Sequence, residues 1–360
     1  MRRLIPCLAA SLLALAACGT SAAPSPAGSE GAGANASAPA KPAGSGAASA
    51  AAKPSASGAT ENTYGDPNGS PVKIAYASPA VASWPFYAAV AAGLYEREHL
   101  KVSMIQMAPN VTITALSKGE IDFTNSPGNA IEGATRGLPF KVVLSSWKQS
   151  PWTIVGKQDL NSVKDLKGHI VGTNQAGSTP YLYLQAALKR DGLAMSDVQV
   201  VSSPGTQNTY ALLLAGKLDA AVVSPPFDAE AEEKGFHEVK FIGDALQEPY
   251  IGLGTNTTFL NQHRPELVRL LRALMDGNAW LKGHPDQAAD LIAKNIGVTP
   301  DIAKRSAEKM LPLLSDTGEM PMSAVQESIG IQAELTKTTP TVKPEDIVDW
   351  GPLHEALRKS

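Results

Sequence analysis

Cysteine is almost missing from this 360-residue chain: only Cys7 and Cys18 occur. Residues 19–360 therefore hold no thiol, which excludes a disulfide framework, a cysteine-ligated zinc and a cysteine nucleophile there. Histidine is sparse as well, at positions 99, 169, 237, 263, 284 and 354, without H-x-x-x-H or H-E-x-x-H spacing. No histidine-built metal site and no cofactor is expected. Charge of one sign is also lacking, since the formal net charge is -3 and no basic stretch carries interleaved aromatics. Nucleic acid is thereby an unexpected partner. No G-x-S-x-G, P-loop or catalytic carboxylate pair stands out, so an enzyme is not expected either.

What is present begins at the amino terminus. Arg2 and Arg3 precede an apolar run that ends in Leu15-Ala16-Ala17-Cys18-Gly19. A basic start, a short apolar core and small residues at the cut describe a signal peptide over residues 1–17, too short to remain as a membrane span. The Leu-Ala-Ala-Cys ending resembles the bacterial lipobox, which implies cleavage before Cys18 and lipid on that thiol. Residues 18–70 follow as Ala, Ser, Gly and Pro with few charges, and Tyr64 is the one aromatic residue between 19 and 69. Such a stretch offers too little apolar surface to offset the entropy of ordering, so a flexible tether to the extracytoplasmic face of the cell membrane is expected.

Four times in the remainder a strand-like run stops at a Ser or Thr, meets proline and turns helical. The junctions are Ser83-Trp84-Pro85, Ser126-Pro127, Thr179-Pro180 and Ser224-Pro225. Proline fits a first helical turn because its missing N–H had no partner there, and a hydroxyl before it can cap a free N–H. At the carboxyl ends of parallel strands such starts border ligand sites, and their free N–H groups favour electron-rich groups. Ala115-Leu-Ser-Lys-Gly119-Glu-Ile-Asp122-Phe-Thr-Asn-Ser126-Pro127 echoes Leu213-Leu-Ala-Gly216-Lys-Leu-Asp219-Ala-Ala-Val-Val-Ser224-Pro225. The repeat argues for two similar α/β lobes around one cleft.

Alternation of short apolar runs with helical patterns gives βαβ units and mostly parallel sheets. Residues 71–157 and 250–360 are assigned to lobe 1 and residues 158–249 to lobe 2. Two crossings, near 152–159 and 243–251, form the hinge. Leu267, Leu270, Leu271, Leu274 and Met275 make one apolar helix face, read as core, with Trp280 buried at its end.

Pro85-Phe86-Tyr87-Ala88-Ala89, Gly93-Leu94-Tyr95-Glu96-Arg97-Glu98, Gly119-Glu-Ile-Asp122, Gly137-Leu-Pro139, Asp165-Leu-Lys-Gly168 and Gly216-Lys-Leu-Asp219-Ala220 together resemble solute-binding lipoproteins of ABC importers. The branch they resemble is the sulfonate-binding and thiamine-pyrimidine-binding, NMT1/THI5-like one. The resemblance implies a type II periplasmic-binding-protein fold and delivery of a small solute, as a monomer, to an ABC permease and its ATPase. Alternatives are a tethered solute sensor and a pyrimidine-synthesis enzyme, the latter set back by the missing cysteine-rich motif.

The expected ligand-binding residues are Ser78, Ser83, Trp84, Ser126, Gly128, Asn129, Gln175, Gly177, Ser178, Thr179, Tyr181 and Ser224. Hydroxyls at strand ends can face the cleft, glycines allow close approach to the backbone, and Trp84 and Tyr181 can stack on a flat ring. Phe86, Trp147 and Phe227 are further stacking candidates, and Asn125 a polar one. Asp122 and Asp219 are read as structural turn residues, and Asp228 would repel an anion if it faced the cleft. The four junctions lack Arg and Lys. Aromatic residues there tilt the cargo toward a pyrimidine- or flavin-like heterocycle, with an alkylsulfonate next.

Overall fold

A computed structural model describes residues 61–76, 81–107, 109–336 and 339–358. The signal peptide, Cys18 and Ser78 lie outside the described residues. Among the described residues there are eleven strands: β1 (Glu61–Gly65), β2 (Ser70–Tyr76), β3 (Leu100–Gln106), β4 (Phe123–Thr124), β5 (Phe140–Ser145), β6 (Thr153–Gly156), β7 (Ile170–Asn174), β8 (Gln199–Ser203), β9 (Ala220–Val223), β10 (His237–Phe241) and β11 (Gly252–Asn256).

They form two sheets, ordered β1-β3-β2-β4-β11-β5 and β10-β6-β9-β7-β8. At their centres β2 runs parallel to β3 and β4, and β7 runs parallel to β8 and β9. The sheets are nonetheless mixed rather than mostly parallel. β11 runs antiparallel to β4 and β5, and β6 antiparallel to β9 and β10. The reason is directional: a strand arriving from the other sheet starts at the edge where its neighbours end.

The expected repeat appears in these sheets as a pair of reciprocal contacts. Asp122 Oδ2 accepts from the Lys73 N–H (2.8 Å) while its own N–H donates to the Lys73 carbonyl (3.0 Å). Asp219 Oδ2 accepts from the Ile170 N–H (2.9 Å), and its N–H donates to the Ile170 carbonyl (2.8 Å). Both aspartates thus pin the start of one parallel strand to the next, the structural role read for them.

Two boundaries differ from the sequence reading. The tether does not run unbroken to residue 70, because Glu61–Gly65 pairs antiparallel with β3. This edge strand is largely exposed and polar, so composition hides it; it needs only backbone bonds and the partly buried Tyr64. The first crossing is 146–152 rather than 152–159, since Thr153–Gly156 is already β6 of the second sheet. Val155 and Ile154 are fully buried there.

The first lobe's core gathers around the helix Arg264–Gly283, whose Leu267, Leu270, Leu271 and Leu274 are inaccessible to solvent. Each contributes roughly 1.5–3 kcal/mol by burial. Trp280 is only partly buried and stacks on His284 at 5.2 Å, so it does not end in the core as expected. The helix Trp84–Ala91 packs on the same long helix at Gly277, where a Cβ would stand 2.9 Å from the Pro85 carbonyl oxygen. Glycine costs helix stability but permits this approach, which seats Trp84. Gly277→Val is expected to destabilise the protein by about 1–3 kcal/mol in urea melts. Gly283→Ala, with open space at its Cβ, should be near neutral.

Candidate ligand site at the two crossings

The crossings, 146–152 and 242–251, run side by side. The Ser146 N–H donates to the Ile251 carbonyl (2.7 Å) and the Ile242 N–H to the Trp152 carbonyl (2.9 Å). Trp152 and Tyr250 meet edge to face with ring centroids 6.3 Å apart. Buried Asn278 of the long helix holds the first crossing, donating to the Ser146 carbonyl at 3.2 Å. Tyr250 packs against both lobes' cores.

All four junctions abut these crossings. Trp84 sits edge to face on Trp147, centroids 6.1 Å apart. The carbonyl of Asn125, one residue before Ser126, accepts from the Gly252 N–H at 3.1 Å. Tyr183, one turn beyond Thr179, donates its hydroxyl to the Leu246 carbonyl at 3.3 Å. Val223, just before Ser224, pairs with Thr153, the first residue past the first crossing. Helix starts from opposite sheets therefore converge on one hinge.

The capping expectation fails at each start. Ser126 and Ser178 occupy N-cap positions in extended conformation, yet neither makes a side-chain cap bond. Ser83 is an N-cap without a cap bond, preceded by a 3-10 turn. Ser224 is no cap at all: the fourth helix, Phe227–Glu233, has Pro226 as its N-cap. Proline sets the backbone for these starts, and the hydroxyls of Ser126 and Ser178 make no cap bond to the helix. Ahead of the helix Thr179–Arg190, the N–H of Leu182 makes the first intrahelical bond to Ser178 (3.0 Å), so the Thr179 and Tyr181 N–H groups precede it. Gly177 turns the chain with φ +82°, which suits glycine.

Several buried donors around the crossings lack a hydrogen-bond partner. Among the described residues these include Nε1 of Trp84, Trp147 and Trp152, and the hydroxyls of Ser146 and Ser178. Native interiors seldom leave such groups unsatisfied, so their gathering at one hinge marks a site. Gln175 is exposed, Gly128, Asn129, Thr179 and Tyr181 are half-buried, and Asn129 donates weakly to Thr124 Oγ1 at 3.4 Å. Phe86 and Trp84 are both fully buried in the first lobe's core, which removes them as stacking candidates, and Phe227 lies beside Tyr210, centroids 5.2 Å apart.

Sequence reasoning passed over Ser146, Tyr183, Glu248 and Tyr250. The signal available was a cluster of Trp, Tyr, Ser and Pro in two non-periodic runs. Glu248 is half-buried; burial first, and the Glu327 carboxylate second, push its pKa up to about 8.

Asp228 is buried and does not confront the site as a bare charge. Lys309 Nζ lies 2.7 Å from its Oδ2, 2.6 Å from Glu238 Oε2 and 3.0 Å from Thr153 Oγ1. Burial pulls the lysine's pKa down, but these two carboxylates raise it further. Arg305 pairs with Glu232 beside it. The helix Pro300–Met310, which packs on the first lobe's helices, thus also grips the second. Lys148 on the first crossing is held by Asp316 at 2.6 Å. Among the described residues no helix is long and apolar enough to cross a membrane, and no three His, Cys, Asp or Glu gather as metal ligands.

The sequence family described as NMT1/THI5 like matches residues 81–288, more than half of the chain. The chain belongs to that family. Riboflavin-binding protein RibY of Chloroflexus aurantiacus is 27% identical over 223 residues, 59% of this chain and 62% of the relative. The chain thus spans less than two thirds of that relative's length. A putative aliphatic sulfonates-binding protein of Bacillus subtilis is 26% identical over 278 residues, covering 74% of this chain and 81% of that protein. The periplasmic aliphatic sulphonate binding protein SsuA from Escherichia coli superposes with TM-score 0.65 at 20% identity, over 79% of this chain and 99% of that one. The periplasmic-binding-protein fold expected from sequence is the fold observed. A 2'-hydroxybiphenyl-2-sulfinate desulfinase of Rhodococcus erythropolis is 32% identical over 90 residues, 25% of each chain.

Lys309→Ala would leave Asp228 buried without its cation. It is expected to cost about 3 kcal/mol in denaturant melts, with Asp228→Asn in the same chain restoring part of the loss.

Proposed function

We propose that this protein captures a small organic solute outside the cytoplasm and hands it to an ABC permease with its ATPase. The observation that carries the reading is the convergence of helix starts from both sheets on two crossings studded with unpartnered indole and hydroxyl donors. The cargo is a pyrimidine- or flavin-like heterocycle or an alkylsulfonate, held between the lobes by Ser126, Ser178, Thr179 and Ser224 with Tyr181 as a ring contact. The family and the binding proteins among its relatives support this. The protein acts as a monomer, is tethered by lipid on Cys18, and is not an enzyme. The sequence match to the desulfinase covers a quarter of each chain; the desulfurization enzyme DSZB shares the fold over 80% of this chain with TM-score 0.61, but residues 19–360 supply no cysteine.

Thermal-shift screening of the soluble part against riboflavin, pyrimidines and alkanesulfonates should find a stabilising solute. For that solute, Ser178→Ala with Thr179→Ala should weaken binding at least tenfold and move the unliganded melting temperature little. Equal affinity with lowered stability would return the pair to a purely structural role.

In cells, Cys18→Ser should move the protein from the membrane fraction to the soluble fraction. Continued membrane attachment would defeat the lipid tether.

A further inference from the structure

The helix Pro300–Met310 turns two faces to two different lobes. Ala303, Ala307 and Met310 are buried in the first lobe's core. Arg305 and Lys309, four residues apart and so on one face of the helix, reach into the second lobe instead. Their partners on the helix Phe227–Glu233 are four residues apart as well. Arg305 pairs with Glu232 and donates to the Ala229 carbonyl at 3.4 Å, while Lys309 Nζ lies 2.7 Å from Asp228 Oδ2. With 305 matched to 232 and 309 to 228, the two helices run antiparallel along this contact.

Lys309 sits where the crossings meet the second sheet. Its ammonium donates to Thr153, the first residue past one crossing, and lies 5.7 Å from the ring centroid of Phe241, the last residue before the other. The Arg305 pair stands one helical turn, about 5.4 Å, further along both helices. A turn of the lobes about the crossings therefore displaces the Arg305 pair more than the Lys309 group. Burial divides their roles in the same way. Asp228 is 4% exposed and its pairing with Lys309 is shielded, whereas Arg305 and Glu232 are 34% and 35% exposed, and salt screens pairs of that kind. The helix held by both cations follows Ser224, so the contact also fixes the chain beside a candidate ligand contact.

We propose that Arg305 and Glu232 form an ionic latch, with Lys309 as its pivot, that sets the resting angle between the lobes and makes that angle sensitive to ionic strength. A contact made in one arrangement and lost in others biases the populations by its own free energy. The inference rests on the solute-capture reading for what the motion serves: release of the latch frees the lobes to part and to close again around solute.

Residues 19–360 hold no cysteine, so spin labels on Lys118→Cys in the first lobe and Lys189→Cys in the second, both exposed near helix ends, report the distance between lobes. The full-length chain with Cys7→Ser and Cys18→Ser is used, and distances are measured by pulsed electron resonance without any solute. The unaltered latch should give one narrow distribution. Arg305→Glu, which sets like charges face to face, should at least double its width, and Glu232→Arg added to that chain should restore it. Raising sodium chloride from roughly 20 mM to roughly 500 mM shortens the Debye length from about 20 Å to about 4 Å, and should widen the distribution of the unaltered latch toward that of Arg305→Glu. Melting checks the fold; where Arg305→Glu does not melt cooperatively, Arg305→Gln, which removes the cation without adding repulsion, takes its place and should widen the distribution as well. Equal widths in all chains, an unaltered latch indifferent to salt, or a charge swap as broad as Arg305→Glu overturns the proposal. Because no solute is present, the thermal-shift screen decides solute capture separately: a screen without a ligand ends that reading and leaves the latch standing.

Discussion

Everything at the candidate site depends on two short crossings held side by side. Each enters a sheet from the other lobe, so β6 and β11 run against their parallel neighbours and start where those neighbours end. The carboxyl edges of both sheets are thereby brought to the same place. Two backbone bonds between the crossings, Ser146 to Ile251 and Ile242 to Trp152, fix that arrangement, and Asn278 braces it from the long helix behind. Tyr250, packed on both cores, makes the hinge part of each lobe's interior.

The site's chemistry follows from which groups are already satisfied. Charges around it are matched elsewhere: Asp228 with Lys309 and Lys148 with Asp316. What remains uncommitted is neutral and directional, namely indole N–H groups, hydroxyls and first-turn amides. Such a set discriminates by hydrogen-bond pattern and ring shape more than by net charge, since each polar group that goes unmet on binding costs free energy. Family membership does not choose among cargoes, because its members include proteins named for riboflavin and for sulfonates.

Much of the fold was legible because proline, glycine and apolar runs leave local marks. The four junction prolines and the Gly-apolar-Asp repeat placed the helix starts, and the aspartates' reciprocal bonds to Lys73 and Ile170 explain why that repeat exists. The apolar stripe of the long helix was read as core and is core. Less legible was anything decided by long-range pairing. β1 is a polar edge strand whose partner lies some forty residues away. The true start of the second sheet depended on β6 meeting β9, which no local pattern announces. Capping failed as a detail for a related reason: a serine in the cap position has the right backbone, but tertiary surroundings decide where its hydroxyl points. Glu248 and Tyr250 escaped notice since a lone acid in a loop gives no sign of its burial.

Hydrogen exchange with and without saturating cargo tests the central claim most directly. Convergence of both lobes on one enclosed solute predicts slowed exchange at residues 146–152, 178–183 and 246–251 together, with the outer strands β1 and β8 unchanged. Protection confined to a single lobe, or absent from both crossings at full occupancy, would contradict it.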